Sequence, residues 1–372
     1  MGDMYDYIFE SSTAVQSIVK NQDVILNDCA EYLIEHHFKS LYLVGSGTSY
    51  NAALGVKKVM QSVLRRTVTV MHSMEFVDTE YLNGAETAVI GVSQGGRSKS
   101  TIEALHKARK AGAITLSMTS DLICPVASAA EVNIQLDVGI EDTGPKTKGY
   151  FGTMAELTLL ALKIAEKEFL ITKEDKDSIQ SEMLKSSDSI KEIGLTAEDW
   201  YFNNREQLLS AHRIIVIGYD NVLSAESEGA LKILEGLRCC VDGFEMEEFM
   251  HGIYHAIDNQ TWIFALAPEG RHRERLIRLL DYLEKRKGSH NFVITSDTHN
   301  TYSNALKYPF HDSVCRIQFF SKPNPKKQQA QSDETGMSPR PLQIGLIAEQ
   351  EAVWCSEIDW DQSASGSIFC KF

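Results

Sequence analysis

From Ser40 onward the chain repeats one unit: a short run of apolar residues, a turn rich in glycine and hydroxyl side chains, then an amphipathic stretch of helix length. This alternation constrains the fold most, because parallel strands cannot be joined by tight turns and need a helix as crossover. Strands are expected at residues 41–44, 67–71, 87–92, 113–118 and 131–136, with helices at 50–64, 99–111 and 150–169. A second unit of the same grammar has strands at 213–217, 261–265 and 291–295 and helices at 224–237 and 271–285, which suggests internal duplication of one α/β unit. Ahead of the first unit, Ile8, Phe9, Val15, Ile18 and Val19 carry helical spacing from Tyr5 to about Asn21, and a second helix is expected over 23–36. At 372 residues the chain exceeds what a single core usually fills. The expected organisation is therefore N-terminal helices at 1–36, an α/β domain at 37–171, a polar linking helix at 172–199, a second α/β domain at 200–314 and an atypical tail at 315–372. Within the linker, residues 172–188 are the clearest helical part, while Pro323, Pro325, Pro339 and Pro341 give the tail the composition of a loop.

A formal charge of −14 argues against a nucleic-acid partner, which needs Lys/Arg neutralisation of many phosphates. It leaves room for one small phosphate ester, because a helix N-terminus can hold an anion with backbone N–H groups and hydroxyls. No apolar run has the length to span a bilayer, and Met1-Gly2-Asp3-Met4-Tyr5-Asp6 lacks the start of a secretory signal, so a cytoplasmic chain without a membrane partner is expected. The seven cysteines are odd in number and scattered, with Cys239 and Cys240 adjacent, and read as reduced thiols. No metal and no cofactor is expected.

Gly45-Ser46-Gly47-Thr48-Ser49 follows the first strand and opens a helix. Glycines allow close backbone approach there, and Thr48 and Ser49 stand beside the free N–H groups of the first turn. A dinucleotide fingerprint would place a third Gly where Tyr50 stands and an acid about 20 residues on, earlier than Glu75. Ser93-Gln94-Gly95-Gly96-Arg97-Ser98 repeats the arrangement after residues 88–92, and suits a phosphate monoester at the positive end of the next helix. Both loops also read as Ser/Thr-capped turns with no ligand. Glu228, Lys232 and Glu235 share one helical face, and His251 follows in Glu247-Glu248-Phe249-Met250-His251, with His255 as a competing imidazole. A carboxylate can move a proton between adjacent sugar carbons and a histidine can open the ring, although a solvated ion pair would look the same.

Together these motifs resemble the isomerase part of glucosamine-6-phosphate synthase and the related deglycases of the double sugar isomerase (SIS) domain family. The resemblance is carried, in order over about residues 40–270, by Gly47-Thr48-Ser49-Tyr50-Asn51, Ser73-Met74-Glu75-Phe76, Ser93-Gln94 with Gly96, Thr147-Lys148, Glu228-Gly229-Ala230-Leu231-Lys232 with Glu235, and Glu247 with His251-Gly252. It implies two flavodoxin-like three-layer α/β/α domains with parallel sheets. It implies that Gly47, Thr48, Ser49, Ser93, Gln94, Gly95 and Ser98 bind sugar and phosphate, that Lys232 sits in the site, that Glu235 shuttles the proton between C1 and C2, and that His251 assists ring opening. In the family the site lies where subunits meet and a neighbour supplies the histidine, so the implied partner is a second copy, as a homodimer or larger homo-oligomer.

Departures from the family shape the expected activity. The chain starts Met1-Gly2 and enters its α/β pattern by residue 40, without the glutaminase domain and its cysteine nucleophile, so glutamine hydrolysis is not expected. Gly95 stands where the synthase has a second Ser, and Gly144-Pro145-Lys146 replaces its Val-Ala-Ser, so substrate contacts there are expected to differ. Residues 315–372 lack the lysine-bearing segment that ends the family's chains, which suggests a diverged or frame-disrupted C-terminus. The options are isomerisation, deamination of an amino-sugar phosphate, or deglycation of a fructosamine 6-phosphate, with the C–N cleaving branch favoured by likeness to the deglycases. A non-catalytic phosphosugar sensor is the alternative.

Overall fold

Among the described residues, apolar strands bounded by glycine turns pair with other strands of the same direction, in two separate five-stranded parallel sheets. A computed structural model describes residues 4–79, 81–142, 144–295 and 306–307. The chain runs α1 (Met4–Glu35), β1 (Ser40–Gly45), α2 (Thr48–Leu64), β2 (Thr67–His72), α3 (Ser73–Asp78), β3 (Thr87–Val92), α4 (Lys99–Lys110), β4 (Ile114–Thr119), α5 (Pro125–Ala129), β5 (Val132–Gln135) and α6 (Lys148–Lys167). It continues through α7 (Lys173–Leu209) to β6 (Arg213–Gly218), α8 (Leu223–Leu237), β7 (Cys240–Glu245), α9 (Met246–Met250), β8 (Thr261–Leu266), α10 (Arg273–Lys287), β9 (His290–Thr295) and β10 (Leu306–Lys307). The strand orders are β2-β1-β3-β4-β5 and β7-β6-β8-β9-β10, one doubly wound topology used twice.

Strand alternation sends side chains to two helical layers. In the first sheet Leu41, Leu43, Ile90 and Leu116 pack with α1, α2 and α6, whereas Val44 and Val89 meet Phe76 of α3 and Ala104 and Ala108 of α4. In the second sheet Ile215, Ile217 and Ile263 face Leu276 and Leu280 of α10, and Ile214, Val216 and Phe292 face Trp200 of α7 and Ala230 of α8. Among the described residues no helix is long and apolar enough to cross a membrane.

Three expectations are corrected. One uninterrupted helix, α1, replaces the two expected around Asn21, since polar Gln22 and Asp23 find partners in Gln180 of α7 and Lys163 of α6. The linking helix, clearest at 172–188, runs on as α7 to Leu209, because Trp200 and Leu208 have an apolar surface to cover in the second half. The sequence also missed β7, an edge strand with an exposed Asp242 and a central Gly243. The atypical tail lies outside the described residues.

Beside β7, the buried Glu226 of α8 lies against Gly243, and among the described residues its Oε1 has no hydrogen-bond partner. Burial pushes its carboxyl up to about 7, with the Glu245 charge adding to the rise and a Ser227 hydrogen bond opposing it. The folded state thus holds this proton more tightly than the unfolded chain, so the stabilisation is complete below the ordinary value of 4.5 and is lost as pH rises through about 7. Glu226→Gln, neutral at every pH, is expected to lessen the drop in Tm between about pH 5 and pH 8. Parallel Tm curves for parent and variant would show that this carboxyl is solvated.

Candidate functional site

In a doubly wound sheet the loops leaving adjacent strands in opposite directions open a crevice at the carboxyl edge, where ligands bind. Here that point lies between β1 and β3, which pair in parallel with Val44 beside Gly91, so the 45–49 and 93–98 loops emerge side by side. Gly47 caps α2 at φ 56°, and Ser46 and Gly47 are exposed. Ser49 is half-buried in the first turn.

The first loop is joined directly to the catalytic-candidate helix of the second half. Thr48 Oγ1 donates to Glu228 Oε1 at 3.0 Å, and Asn51 Nδ2 donates to Glu228 Oε2 at 2.8 Å. Lys232 Nζ lies 3.3 Å from Glu228, donates to Thr48 Oγ1 at 3.1 Å and donates to Glu235 Oε2 at 2.6 Å. Glu228 is 6% exposed with both oxygens used, whereas the Glu235 side chain is 35% exposed at the rim. The shared helical face of Glu228, Lys232 and Glu235 is therefore a bridge to the first sheet. The Thr48 proton is spent on Glu228, so this hydroxyl can offer a ligand only a lone pair. Next to the bridge, Tyr150 donates to Ser224 Oγ at 2.6 Å, and Ser224 donates to the Asn51 carbonyl at 2.6 Å.

The second loop is anchored by its backbone. Ser93 N donates to Met118 O, Ser120 N to Gln94 O, and Val126 N to Gly96 O. Gly96 has φ +64°, and a Cβ there would strike Cys124 Sγ at 2.3 Å, so both conformation and space demand glycine. Ser93 is buried and Gly95 exposed, with nothing within 4 Å of where a Gly95 Cβ would stand. Ser98 is the N-cap of α4: its Oγ accepts from Thr101 N at 3.4 Å and from Thr101 Oγ1 at 2.9 Å. The capping geometry expected of a ligand-free turn is thus present, and the first turn of α4 carries no acidic side chain to oppose an incoming anion.

Gln94 donates from Nε2 to Glu141 Oε2 at 2.8 Å. Sequence reading did not single out Glu141; its only signal was an acid six residues ahead of Thr147. His251 stands exposed just past α9, its Nδ1–H donates to the Glu247 carbonyl at 2.8 Å, and among the described residues no hydrogen bond engages its Nε2. Among the described residues no hydrogen bond joins His251 or His255 to the Thr48–Glu228–Lys232–Glu235 cluster. Within one chain the described hydrogen bonds thus join the acid and the lysine to the first loop, and to neither imidazole.

Comparison with known proteins agrees with this architecture. A family model described as SIS domain matches residues 36–163 and 207–312. Glutamine–fructose-6-phosphate aminotransferase (isomerizing) of Thermococcus kodakarensis is 24% identical over 284 residues, covering 76% of this chain and 47% of that protein. The same-named protein of Bacteroides thetaiotaomicron is 25% identical over 303 residues, 79% of this chain and 49% of its own. The chain thus spans about half the length of the curated relatives it matches. Among solved structures, a candidate phosphosugar isomerase of Clostridium difficile 630 superposes with TM-score 0.77 at 29% identity, covering 86% of this chain and 92% of that one. Glucosamine-6-phosphate deaminase of Thermotoga maritima shares the fold, with TM-score 0.61 at 18% identity over 85% of this chain and 91% of its own.

Removing the Glu228 carboxylate leaves Asn51 and Thr48 without their acceptor inside the seam and Lys232 paired with Glu235 alone. Glu228→Ala is expected to lower unfolding stability by about 2 kcal/mol, the cost of buried donors left without a partner. Urea denaturation measures it, and a loss below about 1 kcal/mol would assign the group to the solvated class of ion pairs.

Proposed function

The chain belongs to the SIS domain family, and from that premise we propose that it is an enzyme acting on an amino-sugar or fructosamine 6-phosphate by proton transfer at C1 and C2. The phosphate docks at the N-terminus of α4, against Ser93, Ser98 and the free N–H groups of the first turn, with the exposed Gly95 leaving room for its approach. The Gly47-Thr48-Ser49 loop takes sugar hydroxyls. His251 of a second copy, as its imidazolium, gives the Nε2 proton to the ring oxygen as the bond from that oxygen to the anomeric carbon breaks, and takes the anomeric hydroxyl proton in return, so that the open-chain carbonyl forms. Glu235 then takes a proton from the carbon next to the one bearing nitrogen or oxygen, leaving an enolamine or enediol, and returns it to the neighbouring carbon. Lys232 fixes the direction of the Glu235 carboxyl and links it to Thr48.

The observation that carries this reading is the Thr48–Glu228–Lys232–Glu235 network, which joins a sugar-binding loop of one sheet to a proton-transfer carboxyl on a helix of the other. C–N cleavage, by deamination or deglycation, is the favoured branch, in keeping with the resemblance of the motifs to the deglycases: the returned proton leaves an imine, water adds to its carbon, and ammonia or an amine departs. A sensor that only binds the phosphosugar needs the two loops and not Glu235.

Glu235→Gln separates the readings. A catalyst is expected to lose on the order of 10² in turnover while still binding glucosamine 6-phosphate. Assays of ammonia release, amino-acid release and ketose formation identify the branch. No turnover by the parent chain on any of these substrates would leave the binding-only reading, and turnover unaffected by the substitution would take the proton-transfer role away from Glu235.

A further inference from the structure

The loop between β5 and α6 carries a buried anion. The Glu141 carboxylate accepts from Gln94 Nε2 at 2.8 Å, Thr147 N at 2.6 Å, Thr147 Oγ1 at 2.9 Å, Lys148 N at 3.0 Å and Gly149 N at 3.2 Å. Three of these donors are backbone N–H groups at the start of α6, so the carboxylate answers both the orphan donors and the positive end of that helix. Burial pushes the Glu141 carboxyl up, but the hydrogen bonds from Gln94, Thr147 and Gly149 more than offset this and hold it below its ordinary range.

Gln94 is fixed at both ends of its carboxamide. Its Nε2 is on Glu141, and its Oε1 rests against Gly149, where a Cβ would come within 1.9 Å of it. The Glu141 segment is itself braced: Asp142 N donates to Tyr7 Oη at 3.1 Å, Lys148 Nζ donates to Glu10 at 2.6 Å and to Ile140 O at 2.7 Å, and Lys146 Nζ donates to Glu141 O at 2.5 Å. A chain of contacts thus runs from Tyr7 and Glu10 of α1 through Glu141, Asp142 and Lys148 to Gln94 of the 93–98 loop.

We infer that Glu141 is a positioning residue for the phosphosugar site, clamping the Gln94 carboxamide to the N-terminus of α6 and so setting the path of the loop that presents Ser93 and Ser98. The inference rests on the phosphosugar reading above. The clamp also sorts the two neighbouring helix ends: α6 is filled by the chain's own carboxylate, while the first turn of α4 carries no acid and is left for a substrate's phosphate.

Gly149→Ala tests the clamp without altering a charge. The new methyl pushes aside the flexible end of Gln94, while alanine suits a helix better than glycine. Binding of fructose 6-phosphate to the full chain is measured by calorimetry, and Tm without ligand, for the parent, Gly149→Ala, Glu141→Gln and Ser98→Ala. Gly149→Ala is expected to weaken binding about tenfold, the worth of one well-placed hydrogen bond, with Tm unchanged or raised. Glu141→Gln is expected to weaken it at least as much. A loss of affinity by Gly149→Ala that comes with a matching fall in Tm would speak for general loosening and against the clamp. Parent-like affinity in both Gly149→Ala and Glu141→Gln, with Ser98→Ala weakened, overturns the clamp and leaves the phosphosugar reading standing. Failure of the parent to bind fructose 6-phosphate, glucosamine 6-phosphate or inorganic phosphate overturns both.

Discussion

A carboxylate as buried as that of Glu228 is tolerated only when its oxygens are engaged by donors and its charge is matched. Its partners come from both halves of the chain, Thr48 and Asn51 from α2 and Lys232 from its own helix, so satisfying one group forces α2 and α8 together. The Tyr150–Ser224–Asn51 relay and the Lys58–Asp220 ion pair extend the same seam. Everything proposed for Glu235 depends on this tie, because Glu235 follows Lys232 by three residues and is aimed by it. A seam that slipped by one helical turn would carry Glu235 about 5 Å from its present place, more than enough to abolish proton transfer between bonded atoms.

The first sheet solves a related problem with its helix ends. Two N-termini, those of α4 and α6, lie close to the 93–98 loop, and each concentrates unpaired N–H groups and positive potential. Filling one with Glu141 removes a competing anion site and leaves α4 with serine hydroxyls and no acid. The long N-terminal helix then acquires a role beyond covering the sheet, since Tyr7 and Glu10 hold the segment that carries Glu141.

The fold was legible because strands buried on both faces read as continuous apolar runs, and β1, β3, β4, β6 and β8 all lie within a residue or two of their expected places. What escaped had a physical cause. Cys240-Val241-Asp242-Gly243-Phe244-Glu245 is a half-exposed edge strand whose glycine is needed by the Glu226 side chain beside it, so neither apolar content nor alternation announced it. The polar stretch at Asn21-Gln22-Asp23 looked like a break only because its partners, Gln180 and Lys163, lie far away in sequence. The site was partly legible: motif spacing placed Glu228, Lys232 and Glu235 on one face, and nothing local could say that this face meets Thr48. Glu141 was invisible because its bond to Gln94 spans a loop whose course only the folded chain defines. His251 could be placed by resemblance alone, since in one chain it bonds to its own helix and not to the cluster.

Duplication of the strand order poses a last question: why the chain should carry one such site and not two. In the first sheet the residues following β1 are Ser46 and Gly47, small and exposed, so the crevice between the β1 and β3 loops stays open. At the same place in the second sheet stands Tyr219, which is buried and donates from its hydroxyl to the Pro268 carbonyl, in the loop that follows β8. That one side chain spans the two loops whose separation makes a crevice. Asp220, next in line and held at a positive φ, is turned to the Lys58 ammonium of α2 rather than toward a ligand. The second half has therefore used its switch point for packing and seam-building, and the proposed site draws on it only through the side of α8 that faces the first half. Under that proposal the repeated fold supplies one composite site, because the same topological position carries Ser-Gly in the first half and Tyr-Asp in the second.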